Sequence, residues 1–570
     1  MTNNPIRICG VPITGYRIVI PQNVSPCIQY CAEELQKYLG LAYGAQFSIC
    51  DDSTPTADHE IAISKTARGD ALSPLDEEEY EISVSNGLVK IIGGSNRGTL
   101  YGIYGFLERF IGWRWFSLDT EVLRQPHMSE LYDGDVYRKK PYYEYRNCMF
   151  YEANQFPVFK AKLGFNASIN KKYSEMLGGG LEYTGFVHTF NALCPPKTYF
   201  EEHPEYFSLV DGKRQPTQLC LTNPEVLQIV INNALEKLRT NKNAFISISQ
   251  NDNTDYCQCP ACKAIDEEEG SPSGTLLRFV NKVAEAIEKE FPDVKVDTLA
   301  YTYTRKLPKL TRPRHNVVIR LCSIECCFRH PLTDTTCSDN LGFCNDINDW
   351  SSICDKLYIW DYCTNFAHYS LPFPNYGVLR QNNEFYAKHN VAGMLSQGNY
   401  NRRGADMNEF KTYLFSKLYK DPFMSAEEYE YHVCDFLEGY YGKGWENIRK
   451  YIDILLEESR NQHYDCYFDA EDNYHSLYKR IDEIYSLFDN ALALADEKQA
   501  DHIKTTRLSV TNVELSVAKN IAEKNGEELS PEYLAKKRKY FEDCKKYGVH
   551  LSEHFNYADD IEEAMNFYKI

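Results

Sequence analysis

Between residues 140 and 400 the chain repeats one device eight times: a short apolar run that ends abruptly in polar or aromatic side chains. The runs lie at 145–150, 163–166, 186–189, 245–252, 296–301, 317–322, 357–362 and 391–398. They are too short for helices and too uniformly apolar for strands with one wet face. Strands buried on both faces have this character, and they belong to parallel sheets covered by helices. Helices of the required kind lie between them. Asn223 is a good cap with Pro224 behind it, and Val226, Ile229, Val230, Asn233, Ala234 and Leu238 follow at helical spacing. A second stripe runs from Leu276 through Leu277, Val280, Val283, Ala284 and Ile287. Eight strands with interleaved helices predict a (β/α)8 barrel over residues 138–412. The stretch between Tyr303 and Asn316 is too short and Pro-rich for a crossover helix, so the barrel is expected to be distorted.

The flanks read differently. Residues 1–130 alternate strand-like and helical segments around Asn86-Gly87, a dipeptide suited to a tight hairpin because both residues tolerate positive φ. This predicts a small N-terminal α/β domain. From 413 to 570 the pattern is helical and charge-rich, predicting a C-terminal α-helical domain. The expected fold class is therefore α/β, with three units in a chain of 570 residues.

Composition removes several functions. With 81 acidic against 62 basic residues the net charge is -19, which repels a polyanion, so nucleic acid is not an expected partner. No apolar run reaches the length of a membrane span. The start Met1-Thr2-Asn3-Asn4-Pro5 lacks the basic and apolar segments of an export signal, and 20 scattered cysteines suit reduced thiols, so a cytoplasmic setting is expected. Gly178-Gly179-Gly180 does not follow a strand with helix-opening spacing, which argues against a phosphate loop, and no nucleophile elbow is present.

In a barrel the reacting groups come from the carboxyl ends of strands. The polar and aromatic residues that close the runs include His188, Asn251, Asp252, Tyr301, Glu325, Trp360, Asp361, Tyr362, Gln397 and Asn399. Cleavage of a glycosidic bond needs an acid for the leaving oxygen and a second group for the cationic sugar centre, usually two carboxyls facing one cavity. Asp252, Glu325 and Asp361 are the candidates. Glu325 stands in Cys322-Ser323-Ile324-Glu325-Cys326-Cys327, an apolar setting expected to raise its pKa and suit it to the acid role. Trp360, Tyr301 and Tyr362 are candidate stacking faces for a sugar, and His188, Asn251, Gln397 and Asn399 candidate hydrogen-bonding partners.

Cys257-Gln258-Cys259-Pro260-Ala261-Cys262 sets three thiols within reach of one metal ion. No fourth ligand stands nearby in sequence and no second pair has matching spacing. The expectation is a packed loop with no metal or other cofactor, zinc on Cys257, Cys259 and Cys262 being the alternative.

Several segments together resemble domain of unknown function 4838, from which glycoside hydrolase family 163 was defined. They are Gly98-Thr99-Leu100-Tyr101-Gly102-Ile103-Tyr104-Gly105-Phe106-Leu107-Glu108, the stretch from Asn251-Asp252-Asn253 through Cys262, Leu299-Ala300-Tyr301-Thr302-Tyr303, Ile319-Arg320-Leu321-Cys322 and Tyr358-Ile359-Trp360-Asp361-Tyr362. The first unit is similar to the non-catalytic α/β domain that precedes α-glucuronidase and β-hexosaminidase barrels. The resemblance implies a carbohydrate substrate and hydrolysis of β-N-acetylglucosaminides, with the substrate's own acetamido oxygen attacking the anomeric carbon. Glycoside hydrolase family 20 places an adjacent Asp-Glu pair after the fourth strand, whereas this chain has Asn251-Asp252, so the acid is expected from Glu325. Alternatives are an α-glucuronidase-like hydrolase and a non-catalytic glycan-binding barrel.

Overall fold

The computed structural model describes residues 4–126, 128–169, 172–554, 559–568 and 570. The first unit is a six-stranded sheet of β1 (Arg17–Ile20), β2 (Ile49–Asp51), β3 (Glu60–Ile63), β4 (Tyr80–Ser85), β5 (Leu88–Gly93) and β6 (Val136–Lys139), in the order β6-β4-β5-β3-β1-β2. The β4–β5 hairpin turns at Asn86 and Gly87, whose φ angles of 49° and 77° are those a two-residue turn with the strands' own twist requires. Helices α1 (Pro26–Tyr43) and α2 (Asn96–Phe106) start at side-chain caps from Ser25 and Ser95. They are joined by the Tyr104 hydroxyl, which donates to Glu34 Oε2 at 2.9 Å.

The central unit is a curled parallel sheet. In chain order it comprises β7 (Tyr145–Cys148), an outlying antiparallel hairpin of β8 (Phe207–Val210) and β9 (Lys213–Leu219), α3 (Pro224–Thr240), β10 (Phe245–Ser247), α4 (Pro260–Glu269), α5 (Pro272–Glu288), β11 (Lys295–Ala300), β12 (Val317–Cys322), α6 (Ser338–Ser351), β13 (Leu357–Tyr362), α7 (Leu379–Ala387), β14 (Val391–Gln397) and α8 (Asn408–Leu418). The sheet order is β7-β14-β13-β12-β11-β10, every pair parallel. Asn223 caps α3 by accepting from the backbone of Glu225 and Val226, and Val226, Val230, Ala234 and Leu238 are its buried face.

Two of the eight expected strands do not form. Runs 163–166 and 186–189 are interrupted by left-handed backbone at Gly164 (φ 85°), Val187 (30°) and His188 (51°), which breaks an extended ladder. The chain nevertheless spans the gap between β7 and β10. Asn166 and Ala167 donate to the Arg146 carbonyl, and isolated parallel bridges join Ala167 to Leu181 and Tyr183 to Phe245. Between β11 and β12 there is a single 3-10 turn (Thr302–Thr304) rather than a crossover helix, as the Pro-rich segment predicts. The C-terminal part is helical, with α9 (Ala426–Tyr441), α10 (Trp445–Glu458), α11 (Ile481–Ala493), α12 (Glu497–Asn525) and α13 (Pro531–Tyr547). Among the described residues no helix is long and apolar enough to cross a membrane.

Inside the curl lies a fully buried ion pair. Arg320 Nε of β12 reaches Asp297 Oδ2 of β11 at 3.1 Å, both side chains 0% exposed. The Tyr183 hydroxyl donates to the same carboxylate at 3.0 Å, and the guanidinium lies 4.9 Å and 5.3 Å from the ring centres of Tyr145 and Tyr358. A Cβ on Gly393 would come within 2.7 Å of the Tyr358 ring, so β14 needs a glycine for that ring to lie flat. Removing one member of a buried pair strands the other charge, at a cost of about 3 to 5 kcal/mol. Arg320→Ala is therefore expected to lower the urea midpoint strongly, and the double variant Arg320→Met/Asp297→Leu to lose much less. Equal loss in both would show that packing volume, not charge, holds this layer.

Candidate functional site

Side chains alternate along a strand, so Tyr358, Trp360 and Tyr362 of β13 face the inside of the curl while Ile359 and Asp361 face the covering helices. Above the Arg320 layer, Phe186 stacks on Trp360 (5.4 Å) and Trp360 on Tyr362 (6.2 Å). Tyr362 then meets Phe366 at 5.9 Å, and Phe366 meets the half-exposed Tyr467 at 5.7 Å. The result is an aromatic wall rising from the sheet interior to the surface at the carboxyl ends of the strands. Gln397 of β14 fixes it, its Oε1 accepting from Trp360 Nε1 at 2.8 Å.

Beyond β10 stands Asp252, which is exposed and accepts a hydrogen bond from the Tyr301 hydroxyl at 3.0 Å. Burial and the charge of Asp252 push the Tyr301 phenol well above its ordinary pKa, so it remains a donor. His188 lies against Tyr301, ring centres 6.1 Å apart. Its Nδ1 is 2.8 Å from the Gln250 carbonyl, which can only accept, so Nδ1 donates there and Nε2 is the ring nitrogen left for another partner.

The second carboxyl of the mouth is one that the strand-end pattern does not include. Glu553 lies beyond α13, where the chain leaves helical structure and crosses the loops that follow β13 and β14. Tyr369 donates to the Leu551 carbonyl, Glu553 N to the Phe366 carbonyl, and Asn401 Nδ2 to the Glu553 carbonyl at 2.9 Å. Its carboxyl accepts from the Tyr400 hydroxyl at 3.3 Å. Burial, opposed by His554 and that hydroxyl and helped to a smaller degree by the charge of Asp252, leaves Glu553 above the usual carboxyl value. Tyr467 of the wall lies within the field of both Asp252 and Glu553. The one sequence signal is the segment Gly548-Val549-His550-Leu551-Ser552-Glu553-His554, a non-helical interruption in a helical region.

The other sequence-derived candidates are placed elsewhere. Asp361 points outward: it accepts from Ser323 Oγ at 2.8 Å and lies near Tyr386 of α7, and burial lifts its pKa to about 6. Glu325 is not in an apolar setting; it is half exposed and ion-paired with Arg305, which Asp346 of α6 holds from the other side at 2.7 Å. Asn251 spends its amide on Asn191 and the Thr217 carbonyl, and Asn399 donates to the Arg402 carbonyl at 2.7 Å, so both shape loops rather than face the mouth. Asp252, Tyr301, His188, Trp360 and Tyr362 are brought together. A cavity of about 670 Å³ opens at the opposite ends of the strands, where Arg146 pairs with Glu78 and Lys356 with Glu144, a face that serves stability in such sheets.

Besides the surface trio of His203, Glu205 and Glu225, two groups of side chains among the described residues have the make-up of metal centres. Cys257, Cys259 and Cys262 are joined by Cys220, which follows β9 and is 37 residues from the nearest of them in sequence. Cys327, His330, Cys337 and His463 form the other, with Cys327 Sγ 3.3 Å from His330 Nδ1.

Residues 118–453 match the sequence profile of the domain of unknown function DUF4838. No curated protein matches the sequence. Among solved structures, a family GH115 4-O-methyl-α-glucuronidase, BtGH115A, with specificity for decorated arabinogalactans, is similar over 94% of this chain and 76% of its own, at 11% identity and TM-score 0.60, which shows a shared fold. A GH138 enzyme targeting pectin rhamnogalacturonan II aligns over 93% of this chain and 73% of its own, at 10% identity and TM-score 0.48. A GH20 β-N-acetylhexosaminidase from Streptomyces coelicolor A3(2) aligns over 78% and 94% at 13% identity and TM-score 0.45.

The outward Asp361 has a measurable signature. The folded protein keeps its proton up to about pH 6, whereas the unfolded chain releases it near 3.8. Its contribution to stability is thus present at low pH and lost as pH rises between those values, about 3 kcal/mol in all. Asp361→Asn is never charged, so its melting temperature should gain on the wild type by a few degrees between about pH 4 and about pH 7.5. A gap independent of pH would place that carboxyl in water.

Proposed function

The chain belongs to the DUF4838 family, and on that premise we propose that it is a glycoside hydrolase acting at the carboxyl ends of the curled parallel sheet. One observation carries the reading: Asp252, after a central strand, and Glu553, from the C-terminal part, lie within reach of each other's charge, and Tyr467 at the outer end of a row of aromatic rings lies within reach of both. Sugars present flat C–H faces to aromatic rings and need paired carboxyls for cleavage. We read the bridged stretches around Ala167 and around Leu181 to Tyr183 as supplying the two remaining staves of a distorted (β/α)8 ring.

Glu553, raised by burial, is the general acid that protonates the glycosidic oxygen as the bond to the anomeric carbon breaks. In an N-acetylglucosaminide the acetamido oxygen attacks that carbon, and Asp252, oriented by Tyr301, accepts the acetamide N–H and makes the oxygen a better nucleophile. Glu553, now a carboxylate, removes a proton from the water that opens the resulting ring. Tyr467, the exposed outer end of the aromatic wall, is the stacking face, backed by the buried Tyr362 and Trp360, and His188 hydrogen-bonds a sugar hydroxyl through Nε2. A uronic acid substrate is less well matched, because the arginines next to Tyr400 are already engaged, Arg402 with Asp559 and Arg403 with Glu152.

The test is turnover of aryl N-acetylglucosaminide, aryl glucuronide and labelled complex N-glycan by the wild type, Asp252→Asn and Glu553→Gln. The N-acetylglucosaminide or the N-glycan should be cleaved, and each variant should lose about 10²- to 10⁴-fold. Glu553→Gln should lose the alkaline limb of the pH profile, because activity falls as an acid deprotonates, and should keep most activity on aryl glycosides whose leaving group needs no proton. Binding of glycans without cleavage by the wild type would overturn hydrolysis in favour of a lectin-like barrel.

A further inference from the structure

We propose that Cys220, Cys257, Cys259 and Cys262 form a structural zinc site that clamps the loop carrying Asp252 to the β8–β9 hairpin. All four are buried, and their sulfurs lie within 4.8 Å of one another. Cys220 Sγ is 3.7 Å from Cys259 Sγ and 3.9 Å from Cys262 Sγ. A tetrahedral ion with Zn–S bonds of about 2.3 Å sets sulfur–sulfur edges of about 3.8 Å, which these distances match. Thiols packed only as small apolar groups have no reason to converge on one point.

The surroundings suit thiolates. Leu209 N is 3.4 Å from Cys257 Sγ and Arg214 Nη1 is 3.7 Å from the same atom. Thr222 Oγ1 is 3.2 Å from Cys262 Sγ. Donors aimed at sulfur stabilise its negative charge, and the guanidinium offsets the net charge of a zinc ion bound by four thiolates. Three ligands lie in Cys-x-Cys-x-x-Cys running into the first turn of α4, and the fourth directly follows β9 of the hairpin.

The clamp has a purpose in the fold. The hairpin runs along the Asp252 loop: Gln218 Nε2 donates to the Asn251 carbonyl at 2.8 Å and the Asn253 carbonyl at 3.1 Å, and the Thr217 carbonyl accepts from Asn251 Nδ2 at 2.7 Å. Asp252 thus sits in a loop laced to β9 on one side and closed by the four sulfurs a few residues later. Zinc at that point ties two segments that share no regular sheet with the barrel strands.

The experiment is the zinc content of the full chain, purified without a polyhistidine tag, by native mass spectrometry. The wild type should hold one more zinc than Cys262→Ser, while Cys327→Ser, which alters the other cysteine–histidine cluster, should keep this ion. Exchange of the wild type with Co²⁺ should give the intense visible bands of tetrahedral thiolate coordination, a readout that does not depend on a variant folding. Equal zinc in the wild type and Cys262→Ser, or no thiolate–cobalt bands in the wild type, would overturn the site. So would alkylation showing the four thiols consumed as two disulfides. None of these outcomes depends on catalysis, so failure of the hydrolase reading leaves the zinc result unaffected.

Discussion

The Arg320–Asp297 pair is the constraint on which the central unit is arranged. Two unit charges withdrawn wholly from water are unfavourable unless geometry and extra hydrogen bonds compensate, and here the compensation is specific. Asp297 receives both the guanidinium and the Tyr183 hydroxyl, and Arg320 is ringed by aromatic faces whose electron-rich surfaces attract a cation. Tyr183 comes from a bridged segment rather than from a strand, so the pair ties β11 and β12 to a stretch held only by isolated bridges. Burial still drives Asp297 upward against these partners, which indicates how little water reaches this layer.

Everything at the mouth is stacked on that layer. Phe186 lies between Arg320 and Trp360, Trp360 is set by Gln397, and the aromatic wall continues outward through Tyr362 and Phe366. Rigid stacking from the interior positions the aromatic wall, whereas the polar groups arrive on loops. Tyr301 and Asp252 come from the ends of β11 and β10, and Glu553 from a strap laid across the loops after β13 and β14. The strap joins the C-terminal part to the loops at the carboxyl ends of β13 and β14.

Strand and helix positions in the central unit were largely legible, because fully buried parallel strands leave continuous apolar runs and capped amphipathic helices leave Asn-Pro starts with 3.6-residue stripes. The two exceptions have a local cause: left-handed backbone at Gly164, Val187 and His188 turns apolar runs into bridged coil. Candidate side chains were legible only as far as the strand ends. Asp361 and Trp360 are neighbours in sequence, and period-two alternation sends one to the helices and the other into the curl. Glu325 follows apolar residues in the chain but meets Arg305 in space.

What the sequence by itself determined is local: which segments are strands or capped helices, where the Asn86-Gly87 hairpin turns, and that Asp252, Tyr301 and Trp360 stand at strand ends. The tertiary structure alone decided which distant groups lie close together. Glu553 is about 300 residues from Asp252, and Cys220 is 37 from Cys257. Neither spacing has a periodic signature, because both partners are set by loop closure over a preformed sheet rather than by any repeat along the chain. Composition and periodicity report on the burial of each segment, and the pairing of distant carboxyls or thiols appears only when the sheet has curled.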